Sequence, residues 1–187
     1  ADKQVQDTCP AIIPLPNKYS LLEVNRSKFF YLKTNTVIIL DKGAAKIINP
    51  RLRKQWQTLF KTNIHRLLDL DLDFSFNENR NQSLNDSIPS IMLNLARPGD
   101  KLISDAAVAT KTGSYRLSIA PNRVVITAND QSGFLYGLIS LMQLGIHENI
   151  NNQGSMLNSA KLRFPCWQIQ DQQNYEWRGL MLDESRN

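Results

Sequence analysis

The sequence predicts an α+β domain, in which two helices pack on a mainly antiparallel sheet, followed by the start of a second domain. Short apolar segments separated by polar turns fit the two-residue period of strands through much of the chain. Two longer segments fit the period of a helix. Near the end, Leu180, Met181 and Leu182 form an apolar run without polar alternation, which is typical of a strand buried on both faces.

The composition is that of one ordinary folded domain with a fragment of another. The chain has 187 residues, of which 42% are hydrophobic and 21% charged, enough to bury a core without disulfide or metal support. The 22 Lys and Arg against 17 Asp and Glu give a formal charge of +5, which mildly favours nucleic acid or anionic surfaces. Because the basic residues are not interleaved with aromatics along one stripe, we expect no nucleic-acid partner. No run reaches the about 18 to 20 apolar residues of a membrane span, so we expect none.

The N-terminal sequence and the cysteines bear on the compartment. "ADKQVQDTCP" has neither an initiator Met nor an apolar core segment, so it is typical of a mature start after a signal peptide or of a boundary introduced in cloning. Cys9 and Cys166 are too few for a disulfide framework and lack metal-ligand spacing. Two free thiols are the favoured interpretation, and a Cys9 to Cys166 bridge is the alternative in an oxidising compartment.

The first half predicts strands and then a helix. Four extended segments precede position 41: 11–16, 20–24, 28–32 and 36–40. Asn49 followed by Pro50 then predicts a helix start. From there, apolar residues recur at intervals of three and four residues: Leu52, Trp56, Leu59, Phe60, Ile64, Leu67 and Leu68. The other sides of the helix are basic, which fits a helix that binds nucleic acid or a membrane. The favoured interpretation is that the apolar side packs on the core and the basic side is solvated.

The segment 70–76 alternates with period two and predicts a half-buried strand. Asp71 and Asp73 would share one face about 7 Å apart, a spacing that suits acid/base chemistry or cation binding. With no His or further ligand nearby, solvated carboxylates are favoured. The polar loop that follows contains sequons at Asn81 and Asn85, like the one at Asn25, which matter only in a host that glycosylates.

The second half predicts more strands and a buried helix. The strands are 91–96, 114–120 and 123–128, the last two joined as a hairpin by Pro121-Asn122. The helix would be capped by Asn129, Asp130 or Ser132 and terminated by Gly145. Apolar residues cover most of the circumference of this helix, so we expect it to be buried on several sides. Elsewhere in the chain, the pattern predicts that Trp56 and Trp167 are buried.

Two glycines of this helix, Gly133 and Gly137, are four residues apart and so lie on the same side of it. Such a pair would form a smooth stripe where the backbone could approach a sheet. Alternatively they only lower helix propensity, by roughly 1 kcal/mol each.

One candidate metal motif is excluded. His147-Glu148 is half of an HExxH zinc site, but Asn151 stands where the second His ligand would be. The other histidine, His65, lies on the first helix, and zinc needs at least three protein ligands. We therefore expect no metal and no cofactor.

The C-terminal sequence "YEWRGLMLDESR" resembles the junction at which the (β/α)₈ barrel of glycoside hydrolase family 20, the β-N-acetylhexosaminidases, begins. Upstream, "IIPLPNKY" is similar to the family's opening Pro-x-Pro strand, and "GSYRLSI" and "VVITANDQSGFLYGLISLMQL" to the hairpin and buried helix of its N-terminal domain. "FPCWQIQD" is similar to the linker strand. The resemblance covers most of the chain except 41–110. It implies a non-catalytic, zincin-like domain over 1–170 and the truncated first strand of a TIM barrel over 171–187.

The resemblance implies a substrate-assisted, retaining glycosidase that removes terminal N-acetylglucosamine or N-acetylgalactosamine. Its catalytic Asp-Glu pair would lie on a later barrel strand, beyond this chain, and Asp183-Glu184 is not that pair. Arg178 matches the arginine that hydrogen-bonds the terminal sugar, a task suited to a planar fork of donors. Its structural alternative is an ion pair with Glu176 or Asp183. Asn187 departs from the family, where His is common, and so does Glu184, which stands at a usually small or apolar position.

The resemblance further implies that the parent enzyme acts on N-acetylhexosamine-terminated glycans outside the cytoplasm, whereas this chain alone should be inactive. Its domain would contact its own barrel, and the truncated strand would pack on its own domain or pair with a second copy. The alternative function is a stand-alone carbohydrate-binding or protein-interaction module. A solvent-exposed row of aromatics on the sheet would favour that alternative.

Overall fold

A computed structural model describes residues 9–22, 29–33, 36–68, 75–77, 89–97, 111–150 and 162–172. The strands are β1 (Lys18–Leu21), β2 (Phe29–Leu32), β3 (Val37–Leu40), β4 (Ser75–Asn77), β5 (Ser90–Leu95), β6 (Tyr115–Ala120), β7 (Arg123–Ala128), β8 (Leu162–Pro165) and β9 (Trp167–Asp171). The helices are α1 (Lys42–Ile47), α2 (Pro50–Leu68) and α3 (Gln131–Ile150). None of these helices combines the length and apolarity needed to cross a membrane.

The α+β class is confirmed, but the large sheet is mixed rather than mainly antiparallel. Its seven strands have the order β1-β9-β6-β7-β5-β3-β4. The pairs β1/β9, β9/β6 and β6/β7 are antiparallel, whereas β7/β5, β5/β3 and β3/β4 are parallel. The parallel pairing of β4 with β3 arises because α1 and α2 carry the chain from the end of β3 back to the start of β4, as a crossover connection must. Strands β2 and β8 form a separate antiparallel pair.

The predicted start of α2 is confirmed, and one of the three candidate caps of α3 is identified. Oδ1 of Asn49 accepts a hydrogen bond from the backbone N–H of Leu52 at 3.0 Å. Oδ1 of Asp130 accepts one from the N–H of Gly133 at 2.8 Å. Both side chains satisfy backbone donors that have no partner within the helix.

The predicted end of α3 at Gly145 is wrong, because the helix continues to Ile150. Gly145 is buried, and a Cβ there would collide with the ring of Phe164 on β8. Gly133 and Gly137 play the same part along the large sheet. A Cβ on Gly137 would lie 2.7 Å from Cγ2 of Ile126, and one on Gly133 would meet the carbonyl oxygen of Ser114. The glycines therefore permit close approach, as predicted for the latter two.

Two local features differ from the sequence prediction. Segment 11–16 is not a strand, and β1 begins only at Lys18; Pro14 and Pro16 cannot donate to a ladder. Helix α1 is an addition to the two predicted helices. Its cap, Asp41, accepts from the N–H of Ala44 at 2.7 Å with one oxygen and from the N–H of Leu95 at 3.2 Å with the other. This buried carboxylate thereby joins the start of α1 to the end of β5.

The core lies between the large sheet and the layer formed by α2, α3 and the β2/β8 pair. Its fully buried large side chains come from both layers and include Phe30, Leu40, Leu93, Leu117, Ile126, Phe134 and Phe164. Trp56 and Trp167 are each 5% exposed, which confirms their predicted burial. A small apolar cavity of about 30 Å³ lies between Phe60 and Ile64 of α2 and Leu138 and Leu141 of α3, so the contact between the helices is not fully filled.

Candidate functional site

Most of the predicted site residues lie outside the described residues. Arg178, Asp183 and Glu184 belong to 173–187, and Asp71 and Asp73 precede β4. The sequon positions Asn25, Asn81 and Asn85 lie outside as well. The substrate-binding role of Arg178 and the pairing of the terminal strand therefore stay predictions. Neither Cys9 nor Cys166 forms a disulfide; the first is exposed and the second is buried.

The residues of the incomplete zinc motif serve a structural role at the end of α3. Oε1 of Glu148 accepts a charge-assisted hydrogen bond from Nη2 of Arg163 on β8 at 2.6 Å. Nδ2 of Asn149 donates to the backbone oxygens of Gly145, at 2.6 Å, and of Arg163, at 3.0 Å. The guanidinium of Arg163 lies 4.6 Å from the ring centroid of Phe29. Together these contacts fasten the end of α3 to the β2/β8 pair.

In the described part of the chain, no group of three or more His, Cys, Asp or Glu is arranged to hold a metal ion. Glu148 is already occupied by Arg163. Glu148 of the half-motif is thus explained by its ion pair with Arg163.

A groove of about 150 Å³ lies where β9 ends, and we call it the exit groove. It is lined by segment 12–14, one side of α3 and the end of β9, through Ile12, Ile13, Pro14, Gly113, Tyr115, Tyr136, Ile139, Ser140, Gln143, Asp171 and Gln172. Ile13 is 85% exposed at its rim, and Tyr136 is a second large hydrophobic side chain exposed there. The chain leaves the described fold at this place.

The floor of the exit groove is a buried polar contact. The hydroxyl groups of Tyr115 and Ser140 are hydrogen-bonded at 2.6 Å. Burial raises the pKa of Tyr115 far above its ordinary value; the hydrogen bond to Ser140 opposes this shift, and the charge of Asp171 adds to it. The phenol therefore stays protonated at physiological pH. It can donate or accept a hydrogen bond, but it cannot act as a general base there.

Hydrogen bonds hold the walls of the groove in place. The side-chain amide of Gln143 accepts from the N–H of Ile13 at 3.1 Å and donates to its carbonyl at 3.2 Å. Asp171 accepts from the N–H of Asn17 at 3.2 Å, and the Asn17 side chain donates to the carbonyl of Gln172 at 3.4 Å. These contacts fix segment 12–17 against α3 and β9. The lining residues include no nucleophile paired with a base, so the groove suits a polypeptide contact better than catalysis.

The face of the large sheet opposite the helices is polar in one row of side chains and partly apolar in the next. Register places one row of side chains across it: Lys18, Gln170, Arg116, Thr127 and Asn94. The next row contains Gln168, Ser118, Val125 and Met92. The described residues of this face include no aromatic side chain on which a sugar ring could stack.

The tyrosine, serine and glutamine of the exit groove were not identified from the sequence. Tyr115 and Ser140 are 25 residues apart, and Ile13 and Gln143 are 130 apart. The only local signal is a polar residue on an otherwise apolar helix, at Ser140 and Gln143. That signal indicates a buried or half-buried partner without identifying it.

Comparison with known proteins points to one family. Residues 9–172 match the family model described as glycosyl hydrolase family 20, domain 2. Over 88 residues, 46% of this chain and 16% of its relative, the sequence is 34% identical to a β-hexosaminidase of Akkermansia muciniphila. Over 77 residues, 41% of this chain and 8% of its relative, it is 31% identical to an N,N'-diacetylchitobiase of Vibrio harveyi.

The fold agrees with a solved structure of the same family. The domain superposes on the exo-β-N-acetylglucosaminidase of Vibrio harveyi in complex with N-acetylglucosamine, with a TM-score of 0.57 and 17% sequence identity. The alignment covers 91% of this chain and 20% of that enzyme. At this identity the likeness shows the fold alone. The chain spans a fifth or less of the length of these relatives.

Proposed function

The chain belongs to glycosyl hydrolase family 20, whose domain 2 it carries, and from this membership we propose that the whole protein is an exo-acting β-N-acetylhexosaminidase. It removes terminal N-acetylglucosamine or N-acetylgalactosamine from glycans. The observation that carries the proposal is the family match over 9–172. Relatives named β-hexosaminidase and N,N'-diacetylchitobiase support it.

The proposed chemistry is substrate-assisted. The carbonyl oxygen of the 2-acetamido group attacks the anomeric carbon of its own sugar, and a Glu protonates the departing glycosidic oxygen. The same Glu then removes a proton from the water that opens the intermediate, while an adjacent Asp orients the acetamido group. This scheme needs no second carboxylate as nucleophile. Both carboxylates would lie on a barrel strand beyond residue 187, so the chain by itself should not turn over substrate.

Arg178 is the one residue of this chain that we assign to the substrate. Its guanidinium would donate to hydroxyl groups of the terminal sugar, and a planar fork of donors suits two adjacent hydroxyls. In the absence of the rest of the pocket, an ion pair with Glu176 or Asp183 competes for the same group. The assignment therefore concerns the complete enzyme.

The described domain would support the barrel without taking part in the reaction. The exit groove favours this role, because its apolar rim at Ile13 and Tyr136 surrounds the end of β9, from which the chain continues. We place the enzyme outside the cytoplasm on the family resemblance alone. We divide the chain into a non-catalytic domain over 1–170 and the start of the barrel over 171–187.

The test begins with the reading frame beyond codon 187. It should continue for roughly a barrel's length, about 250 residues, and encode an adjacent Asp-Glu. The full-length protein should then cleave a chromogenic aryl N-acetyl-β-glucosaminide, and the 187-residue chain should not. In the full-length protein, Arg178→Lys should lower kcat/KM about tenfold to a hundredfold. The exposed Arg123→Lys is the matched control and should leave it unchanged.

A stop codon directly after Asn187 would reject the enzyme and favour the stand-alone binding module. The described outer face of the sheet carries no aromatic row, which disfavours that module. Binding of a chitin oligosaccharide to the 187-residue chain, with chemical shift changes confined to the sheet face, would nevertheless support it.

A further inference from the structure

The exit groove contains a buried polar atom to which the described part of the domain supplies no partner. Oε1 of Gln172 is buried, and no hydrogen-bond donor among the described residues reaches it. Such an acceptor costs free energy, because it has lost the hydrogen bonds that water would supply. An occupant of the groove should therefore bring an N–H or O–H group to this end.

The other buried polar groups that line the groove are hydrogen-bonded within the domain. The hydroxyl groups of Tyr115 and Ser140 bond to each other. The side-chain amide of Gln143 bonds to both backbone groups of Ile13, and Asp171 accepts a hydrogen bond from the backbone. A sugar ring carries several hydroxyl groups, each of which would need a partner here. An occupant with one donor and a large apolar surface fits the groove better.

The size and the walls of the groove suit an aromatic side chain. Its volume is about 150 Å³, and an apolar cavity of about that volume takes up a ring the size of benzene. Ile12, Pro14 and Ile139 supply apolar walls. At the rim, Ile13 is 85% exposed and Tyr136 is 36% exposed. The opening is thus bordered by apolar surface of the kind that marks a contact site.

The chain supplies aromatic side chains directly after the groove. Gln172 lines the groove and is the last described residue, so residues 173–178, with the sequence QNYEWR, start at its edge. At about 3.3 to 3.6 Å per residue, Trp177 lies within about 18 Å of Gln172 along the chain. Side chains alternate in an extended segment, so Tyr175 and Trp177 would share one side of it.

We propose that the exit groove is the docking site of the segment that follows β9, with the indole ring of Trp177 in the groove and its Nε1–H donating to Oε1 of Gln172. An indole is a donor without an acceptor. It therefore matches a lone carbonyl oxygen and leaves no polar atom of its own unpaired. Tyr175, on the same side of the segment, covers Ile13 at the rim.

Docking within one chain is favoured over docking of a second copy. The walls of the groove are already held in place, since Gln143 fixes segment 12–14 against α3 and Asn17 ties it to the end of β9. Docking therefore orders only the segment itself. A tether of a few residues also gives the indole an effective concentration of about a millimolar or more. The proposal does not rest on the proposed catalysis, and its test uses no substrate.

The test is fluorine NMR of the 187-residue chain labelled with fluorotryptophan. The three Trp residues give three resonances, and loss of one in Trp177→Phe assigns it. We expect the Trp177 resonance to shift between H₂O and D₂O as little as those of Trp56 and Trp167, which are 5% exposed. Its indole N–H should exchange with solvent at least about tenfold more slowly than in the urea-unfolded chain.

Two pairs of variants locate the docked indole. Ile13→Ser removes apolar surface from the rim and should raise the solvent shift of Trp177 toward that of the unfolded chain. The matched control is Leu67→Ser on α2, which changes another exposed apolar side chain and should leave the shift unchanged. Gln172→Met removes the acceptor and should abolish the slow exchange of the indole N–H. Gln170→Met, on the outer face of the sheet, should not.

Each other outcome overturns the proposal. A Trp177 resonance as sensitive to solvent as in the unfolded chain would mean that this segment does not fill the groove. Equal effects of Ile13→Ser and Leu67→Ser, or of the two Gln variants, would place the indole elsewhere. Protection of Trp177 that disappears on dilution would mean that a second copy fills the groove. The resonances of Trp56 and Trp167 report the fold in the same spectra and must keep their positions in every variant.

Discussion

Helices α2 and α3 are nearly equal in length but differ in how they use their surfaces. Helix α3 is buried or half-buried around most of its circumference, with glycines wherever a neighbouring backbone or ring comes close. Helix α2 buries one stripe and presents charge on the other side. The contrast indicates that the sequence of α3 is constrained by packing on several sides, whereas the outer half of α2 is exposed and is not constrained by core packing. The same substitution should therefore have different effects on the two helices.

The largest difference is expected for leucine truncation. Leu138 on α3 is 2% exposed and Leu59 on α2 is 40% exposed. Leu138→Ala should lower the free energy of unfolding by about 2 to 5 kcal/mol, since it removes buried methyl groups and enlarges an existing cavity. Leu59→Ala should lower it by less than about 1 kcal/mol. Urea unfolding of the two variants measures both, and equal losses would contradict the contrast between the helices.

Replacing a glycine of α3 with Ala tests the close packing of this helix, because the sign of the change in the free energy of unfolding depends on whether a Cβ fits. Gly to Ala inside an exposed helix normally stabilises by about 1 kcal/mol. At Gly137 the added Cβ would lie 2.7 Å from Cγ2 of Ile126 and 3.2 Å from the ring of Tyr115. Gly137→Ala should therefore destabilise, by about 1 to 3 kcal/mol.

The control for Gly137→Ala is a double-mutant cycle with Ile126→Ala. If the clash is the cause, the double variant should lose less stability than the sum of the two single variants. Additive losses, or a stabilised Gly137→Ala, would show that α3 is not held as closely to β7 as described.

Features that depend on residues close in sequence could be predicted from the sequence, whereas features that depend on contacts between distant segments could not. The start of α2 at Asn49 and the close approach at Gly137 follow from local chemistry and helix period, and both predictions are confirmed. The parallel half of the sheet was missed, because strand patterns do not specify partners and the crossover through α2 becomes evident only in three dimensions. Helix α1 is too short to show a period. Its Asp41 cap was the available signal.

The candidate site was less predictable for the same reason. Tyr115 contacts Ser140 and Glu148 contacts Arg163 only because α3 lies across the hairpin and beside β8. The incomplete motif at Glu148 is excluded as a metal site from the sequence, but the sequence does not identify its partner, a cation on a strand. For Arg178, the resemblance of a short segment to a family motif is the only basis for a role, and that role stays a prediction.

The smallest expected effect concerns the polar contact beneath α3. Burial raises the pKa of Tyr115, so the folded protein keeps this phenol neutral at pH values where an unfolded chain begins to ionise it. The resulting stability is fully present below the unfolded pKa of about 10 and declines above it. The decline should approach about 1.4 kcal/mol per pH unit from this residue. Unfolding measured between neutral and strongly alkaline pH gives the slope.

The controls compare two tyrosines on opposite sides of the exit groove. Tyr115→Phe should reduce the alkaline slope, although it loses the hydrogen bond to Ser140 and so some stability at neutral pH. Tyr136→Phe changes a tyrosine at the exposed rim and should leave the slope as it is. Lysines titrate in the same range, but both variants retain all of them, so their contribution cancels in the difference. Equal dependence of the free energy of unfolding on alkaline pH in the two variants would mean that water reaches Tyr115. The inner side of α3 would then be as accessible to solvent as the outer side of α2.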